Sequence, residues 1–249
     1  HIQQKGDIHT LSCPSLSGLI GREQELEQGC LLLQHPDIRL VTLTGVGGVG
    51  KTRLAQAIVQ RTGSSFADGT CSLSLASLTH PHLLIATLLQ ELGAKEEPEQ
   101  AQHTTLFAFL GTKQLLFFLD NFEQIIVSAP LLVDLLEHCP NVKLLVTSRE
   151  ILRVRNEHVF QVSPLPLPDL AAMEDITQLS RNAALQLFLE RVQSIQPQLL
   201  TSEENLRAMA EICIRLDGLP LAIELAAVRC QLFSPQALLR RLEEHCLPV

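Results

Sequence analysis

The chain contains no tryptophan and no tyrosine, and phenylalanine alone makes up its 4% aromatic content. A row of rings on which nucleobases could stack is therefore missing, and Phe107, Phe109, Phe117 and Phe118 read as core residues. Cysteine occurs seven times, at Cys13, Cys30, Cys71, Cys139, Cys213, Cys230 and Cys246, with no C-x-x-C pair. An odd, widely spaced set excludes a disulfide framework and a zinc knuckle and fits a reducing cytoplasm. An excess of positive charge is also missing. With 19 Lys and Arg against 27 Asp and Glu, the formal charge is −8. That balance excludes a broad footprint on a phosphate backbone, so nucleic acid is not expected as a direct partner. Apolar runs such as Leu115–Leu119 fall far short of the roughly 18 residues needed to cross a bilayer, so no membrane partner is expected. No basic segment precedes an apolar one as in a secretory leader. With 46% hydrophobic residues the chain can bury enough apolar surface to fold. Its start at His1 rather than Met suggests a piece of something longer.

Organisation follows from punctuation and period. His1–Ser15 shows no apolar period and reads as a lead-in. Arg22–Gln34 predicts a helix, broken by Pro36-Asp37 before the buried strand Ile38–Leu43. A helix over Lys51–Thr62, a strand near Thr70–Ala76, a helix over His82–Leu92 and a surface loop over Lys95–Gln102 follow. Gln114–Leu119 and Val142–Val146 read as buried strands flanking a helix at Pro130–His138, with a weaker strand at His158–Val162. Strands alternating with helices predict an α/β fold with a parallel sheet covered on both faces. The stretch Ser163-Pro164-Leu165-Pro166-Leu167-Pro168 removes three backbone donors and marks a domain break. Beyond it only helices are expected. Arg181–Ile195 carries Leu185, Phe188, Val192 and Ile195 at helical spacing, and a second helix opens at a capping box, Thr201-Ser202-Glu203-Glu204. Gly218 stops that helix, Pro220 starts the next, and Ser234-Pro235 starts the last. The domains expected are a lead-in over 1–15, a P-loop domain over 16–163 and a small all-α domain over 164–249.

The decisive motif is GVGGVGKT at Gly45–Thr52, placed between a strand and a helix as a P-loop requires. Its glycines permit positive backbone dihedrals that turn successive N–H groups inward, and the helix start adds its positive dipole end. Gly45, Gly47, Gly48, Val49 and Gly50 thereby supply the phosphate cradle, with Lys51, Thr52 and Arg53 at its close. Lys51 carries a charge for the β and γ phosphates, and Thr52 offers a hydroxyl to Mg²⁺. Leu115-Leu116-Phe117-Phe118-Leu119-Asp120 is an apolar strand ending in a carboxylate, the Walker B pattern, which puts Asp120 beside Thr52 at the magnesium. Glu123 is the nearest acid that could act as base towards an attacking water, and reads equally as a solvated helix-start residue; Asn121 cannot act as a base. Leu144-Leu145-Val146-Thr147-Ser148-Arg149 is a third strand with a cation at its end, expected beside the Walker B strand, where Arg149 could register the γ-phosphate.

Taken in order, Leu19-Ile20-Gly21-Arg22-Glu23, GVGGVGKT, LLFFLDNFE at 115–123, LLVTSR at 144–149 and LDGLPLAIELAA at 216–227 resemble the STAND class of signal-transduction ATPases. More narrowly they resemble the NB-ARC-like module of bacterial LuxR-type and antibiotic-regulator-type transcriptional regulators, kin to plant and animal NLR proteins. The resemblance implies that Ile20, Gly21 and Arg22 lie along an adenine, and that Pro220, with Leu221 after it, packs on the nucleotide in a closed ADP form. It implies an ATP/ADP switch with slow hydrolysis and a nucleotide-dependent homo-oligomer. Winged-helix, effector and sensor domains are further expected in the whole protein. Asn121 departs from relatives that place a second acid there. Two other readings stand beside the switch: a nucleotide-dependent scaffold that does not hydrolyse, and a P-loop kinase, which would need a polar acceptor lid. His80-Pro81-His82 and His138-Cys139 read as loop and packing residues rather than as metal ligands or a nucleophile.

Overall fold

The computed structural model describes residues 19–78, 80–94, 101–169 and 181–245. The lead-in expected over 1–15, and 95–100 of the expected loop, lie outside them.

Five strands form one parallel sheet: β1 (Leu40–Thr44), β2 (Thr70–Ser74), β3 (Leu116–Asp120), β4 (Lys143–Ser148) and β5 (Glu157–Gln161), in the order β2-β3-β4-β1-β5. β1, β3 and β4 are almost wholly buried, which is why they read as mainly apolar runs rather than alternating ones. Phe117, Leu119, Leu144 and Val146 share the face that packs on α3 (Leu84–Glu91), α4 (Gln102–Leu110) and α5 (Ala129–His138). By the two-residue period, Phe118 and Leu145 point to the other face. There α2 (Lys51–Thr62) lies against β1, β3 and β4, with Leu54 and Ile58 buried. α1 (Glu23–Gln34) buries Gly29, Cys30 and Leu33, with Gly29 close against Ile58 of α2.

The chain divides into two compact units. One comprises, among the described residues, 24–45 and 51–162, hence the sheet and α1–α5. The other gathers, among the described residues, 19–23, 46–50, 163–169 and 181–245. Its helices are α6 (Ala183–Gln193), α7 (Glu203–Arg215), α8 (Pro220–Arg229) and α9 (Pro235–His245). Leu185, Phe188, Val192, Met209, Cys213, Ile223 and Leu238 form its core, and the three- and four-residue spacing places most of them on one face of each helix.

Two expectations are corrected. α4 was not foreseen, because in QHTTLFAFL only Leu106 and Leu110 are buried and the apolar residues spread around the helix. The capping box does not form at α7: Ser202 is the N-cap and makes no side-chain bond. A box from Ser202 needs an acid three residues on, and that position is Asn205, whose amide donates to Leu199 O at 2.9 Å. Ser234 does cap α9, accepting from Ala237 N–H at 3.3 Å.

Candidate functional site

The loop between β1 and α2 turns on Gly45, Gly48 and Gly50, with φ of 152°, 79° and 99°. These dihedrals lie outside the range of ordinary side-chain-bearing residues, which is why glycine stands at each of the three positions. Lys51 folds back over the loop and donates from Nζ to Gly45 O at 2.7 Å. Burial pushes the Lys51 pKa below its ordinary value; Glu123 and Asp120 oppose that shift, and Arg149 adds to it.

The C-terminal ends of β3 and β4 carry the remaining polar groups of the sheet unit. Thr52 Oγ1 donates to Asp120 Oδ1 at 2.8 Å. Thr147 Oγ1 donates to the same carboxylate oxygen at 2.5 Å and accepts from Asn121 N–H at 3.0 Å. This follows from the register: Leu119 faces Val146, so Asp120 and Thr147 are neighbours one step further on. Asn121 sits in the left-handed region, φ 63° and ψ 45°, which asparagine tolerates better than most residues. That reversal starts the short 3-10 turn Phe122–Ser128, anchored by buried Phe122 and Ile125, and it carries Glu123 back towards the strand ends. Glu123 Oε1 stands 3.2 Å from Arg149 Nε. The loop beyond Arg149 is tied down where Glu157 accepts from Leu152 and Arg153 N–H, each at 2.9 Å.

Within the other unit, Val46–Gly50 is held from two sides. Arg22, only 5% exposed, donates from Nη2 to Val49 O at 3.2 Å and to Ser163 O at 2.6 Å. It thus pins the phosphate loop and the chain after β5 to the entry segment. At the start of α8, Leu221 N–H donates to Gly48 O at 3.1 Å, so one of the helix's orphan donors is satisfied by the loop itself. Gly21 packs against Ala183, and Ile20 lies against the helical core. Gly218, at φ 65°, ends α7 with its N–H on Cys213 O at 3.1 Å.

The structure therefore brings Lys51, Thr52, Asp120, Glu123 and Arg149 together in the sheet unit. It gathers Ile20, Gly21, Arg22, Gly48, Val49 and Leu221, with Pro220 beside it, in the helical one. Gly47 and the Arg53 side chain are exposed on the loop and the first turn of α2. Thr147, which holds the Asp120 carboxylate, was not singled out by sequence reasoning, although a hydroxyl beside the last apolar residue of a strand neighbouring Walker B was a usable signal. His80 and His82 stack on each other at 5.4 Å, and no group of three metal-ligating side chains occurs among the described residues.

A parallel sheet with a P-loop after its first strand, an aspartate at the end of β3 and β4 between β1 and β3 defines a P-loop NTPase fold. The NB-ARC domain model matches residues 22–165, and the chain belongs to that nucleotide-binding family. It is 38% identical over 198 residues to "Putative HTH-type transcriptional regulator Rv0890c" of Mycobacterium tuberculosis, covering 79% of this chain and 21% of that protein. It is 33% identical to "Uncharacterized protein Rv0894" of the same species, covering 92% and 55%. The chain thus spans about a fifth of the length of the regulator it matches. Among solved structures it is similar to Drosophila ORC bound to DNA, with TM-score 0.62, 16% identity and coverage of 90% and 64%. At that identity the likeness is one of fold. No helix among the described residues is long and apolar enough to cross a membrane.

Proposed function

We propose that this chain is the ATP/ADP-operated switch module of a longer cytoplasmic regulator, closed with ADP and opened by exchange for ATP, with slow magnesium-dependent hydrolysis. The observation that carries this reading is the convergence of Lys51, Thr52, Asp120, Glu123 and Arg149 at one end of the sheet. One carboxylate and one hydroxyl in hydrogen-bond contact suit Mg²⁺, which keeps several waters and takes its other oxygens from phosphates. Thr52 and Asp120 would hold it, and bound there it neutralises charge on the β and γ oxygens. Lys51 would hold the phosphates and Arg149 the terminal one. Glu123 would take a proton from a water whose oxygen bonds to the γ-phosphorus while the β–γ bridging P–O bond breaks. The bond's electrons leave with ADP, and the proton is later released with phosphate.

A switch requires the nucleotide to bind two arrangements with different affinity. The Leu221 N–H to Gly48 O bond ties the start of α8 to the phosphate-loop backbone, so a change in the loop's occupancy has a route to that helix. The transcriptional role is carried over from the regulator named above. Its effector and sensor domains, a winged helix and a nucleotide-dependent homo-oligomer belong to the proposal for the whole protein.

The test is to denature the purified protein and identify the released nucleotide by ion exchange. Stoichiometric ADP supports a closed switch whose release step is regulated. Protein that carries no nucleotide and binds neither ADP nor ATP overturns the reading.

A further inference from the structure

The cluster at the ends of β3 and β4 contains one ion pair whose two members are both needed elsewhere in the proposed reaction. Arg149 Nε and Glu123 Oε1 are 3.2 Å apart, and the two side chains are 67% and 12% exposed. The second oxygen of Glu123, Oε2, is buried and has no hydrogen-bond partner among the described residues. An enclosed carboxylate with half of its acceptor capacity unused carries a desolvation cost. The cation that compensates it lies on the open, solvent side, where a guanidinium can change partner without disturbing the core. Phe122 and Ile125, both buried, fix the turn that holds Glu123, so Arg149 is the mobile member.

Resting on the reading of this site as one for a nucleoside triphosphate, we propose that Glu123 and Arg149 form a latch that the terminal phosphate opens. The γ-phosphate carries more charge than a carboxylate and presents several oxygens to the guanidinium fork, so it outcompetes Glu123 for Arg149. Glu123 is then left without its cation beside the phosphate. Its Oε1, released by Arg149, becomes an acceptor for water at the moment a triphosphate is present. ADP has no γ-phosphate and leaves the pair closed. Arg149 thus reports the third phosphate and controls the base with the same movement.

The latch makes a prediction that a plain electrostatic role does not. If Arg149 must be drawn from Glu123, Glu123→Gln removes the competitor and favours triphosphate over diphosphate only while Arg149 is there. The measurement is calorimetric affinity for ADP and for the β,γ-imido analogue of ATP, both with Mg²⁺, in wild type, Glu123→Gln, Arg149→Met and the double variant. Melting curves check that each is folded. Glu123→Gln is expected to raise the preference for the analogue over ADP by roughly two- to fivefold, the worth of a partly exposed ion pair. In the Arg149→Met background the same substitution should leave the preference unchanged. An equal shift in both backgrounds, as repulsion between carboxylate and phosphate would give, overturns the latch while leaving the nucleotide site intact. So does no shift in either. Failure of wild type to bind either nucleotide overturns the site reading and the latch with it.

Discussion

Asp120 Oδ1 accepts hydrogen bonds from both Thr52 and Thr147, so the carboxylate is oriented from two sides. Thr147→Val keeps the shape and removes the hydroxyl, leaving Asn121 N–H without its acceptor. We expect a loss of about 1–3 kcal/mol in stability from that orphaned donor, read as a lower urea midpoint. Nucleotide affinity should fall with Mg²⁺ present and change little in EDTA, because the residue acts through Asp120. The cysteines make a pH prediction at the same scale. Burial pushes the thiols of Cys71 and Cys213 up to about 12 and that of Cys230 to about 11, from an ordinary 9.0. Each raised value means that the folded state holds its proton more tightly than the unfolded chain. The associated stability is fully present below pH 9.0 and is lost as pH climbs through the folded values. Urea midpoints measured from pH 8 upward should fall, and alkylation of these thiols at pH 8 should wait on unfolding.

The turn between α7 and α8 leaves little room for a side chain. Gly218 combines φ 65° with an approach so close that a Cβ there would overlap Leu165 O. Gly69, at φ 89°, has open space around the same hypothetical atom. Alanine at Gly69 should cost about 1–2 kcal/mol for the left-handed backbone alone. Alanine at Gly218 should cost more, because the Leu165 N–H to Gly218 O bond of 3.0 Å would be disturbed as well. Comparing the two urea midpoints separates strain from overlap; equal losses would show that the Leu165 segment yields freely. Elements with strong periods or mainly apolar runs were legible in the sequence, as β1, β3, β4, α2 and α6 show. α4 was not, since its nine residues bury only Leu106 and Leu110. The α7 cap also failed because a one-residue shift in the N-cap takes Glu204 out of reach.

For the whole molecule, binding to the folded state alone must stabilise it by mass action. ADP at a hundredfold excess over its dissociation constant should add about 2.7 kcal/mol. With no tryptophan or tyrosine in the chain, melting is best followed by circular dichroism, and any retained nucleotide will dominate the ultraviolet spectrum. Lys51→Met should abolish the ADP shift without lowering the melting point of the nucleotide-free protein, because burying the Lys51 charge costs stability. The sequence by itself determined the P-loop, the Walker B aspartate, the parallel α/β order and the helical segment after the proline run. Each of these is a local pattern whose physics is complete within a few residues: a glycine dihedral, a buried strand, a missing backbone donor. Only the tertiary structure decided that Thr147 orients Asp120, that Arg22 is spent on the carbonyls of Val49 and Ser163, and that Glu123 faces Arg149. Those pairings join residues 27, 141 and 26 positions apart. They depend on strand register and on where the left-handed turn at Asn121 sends the chain, which no local period encodes.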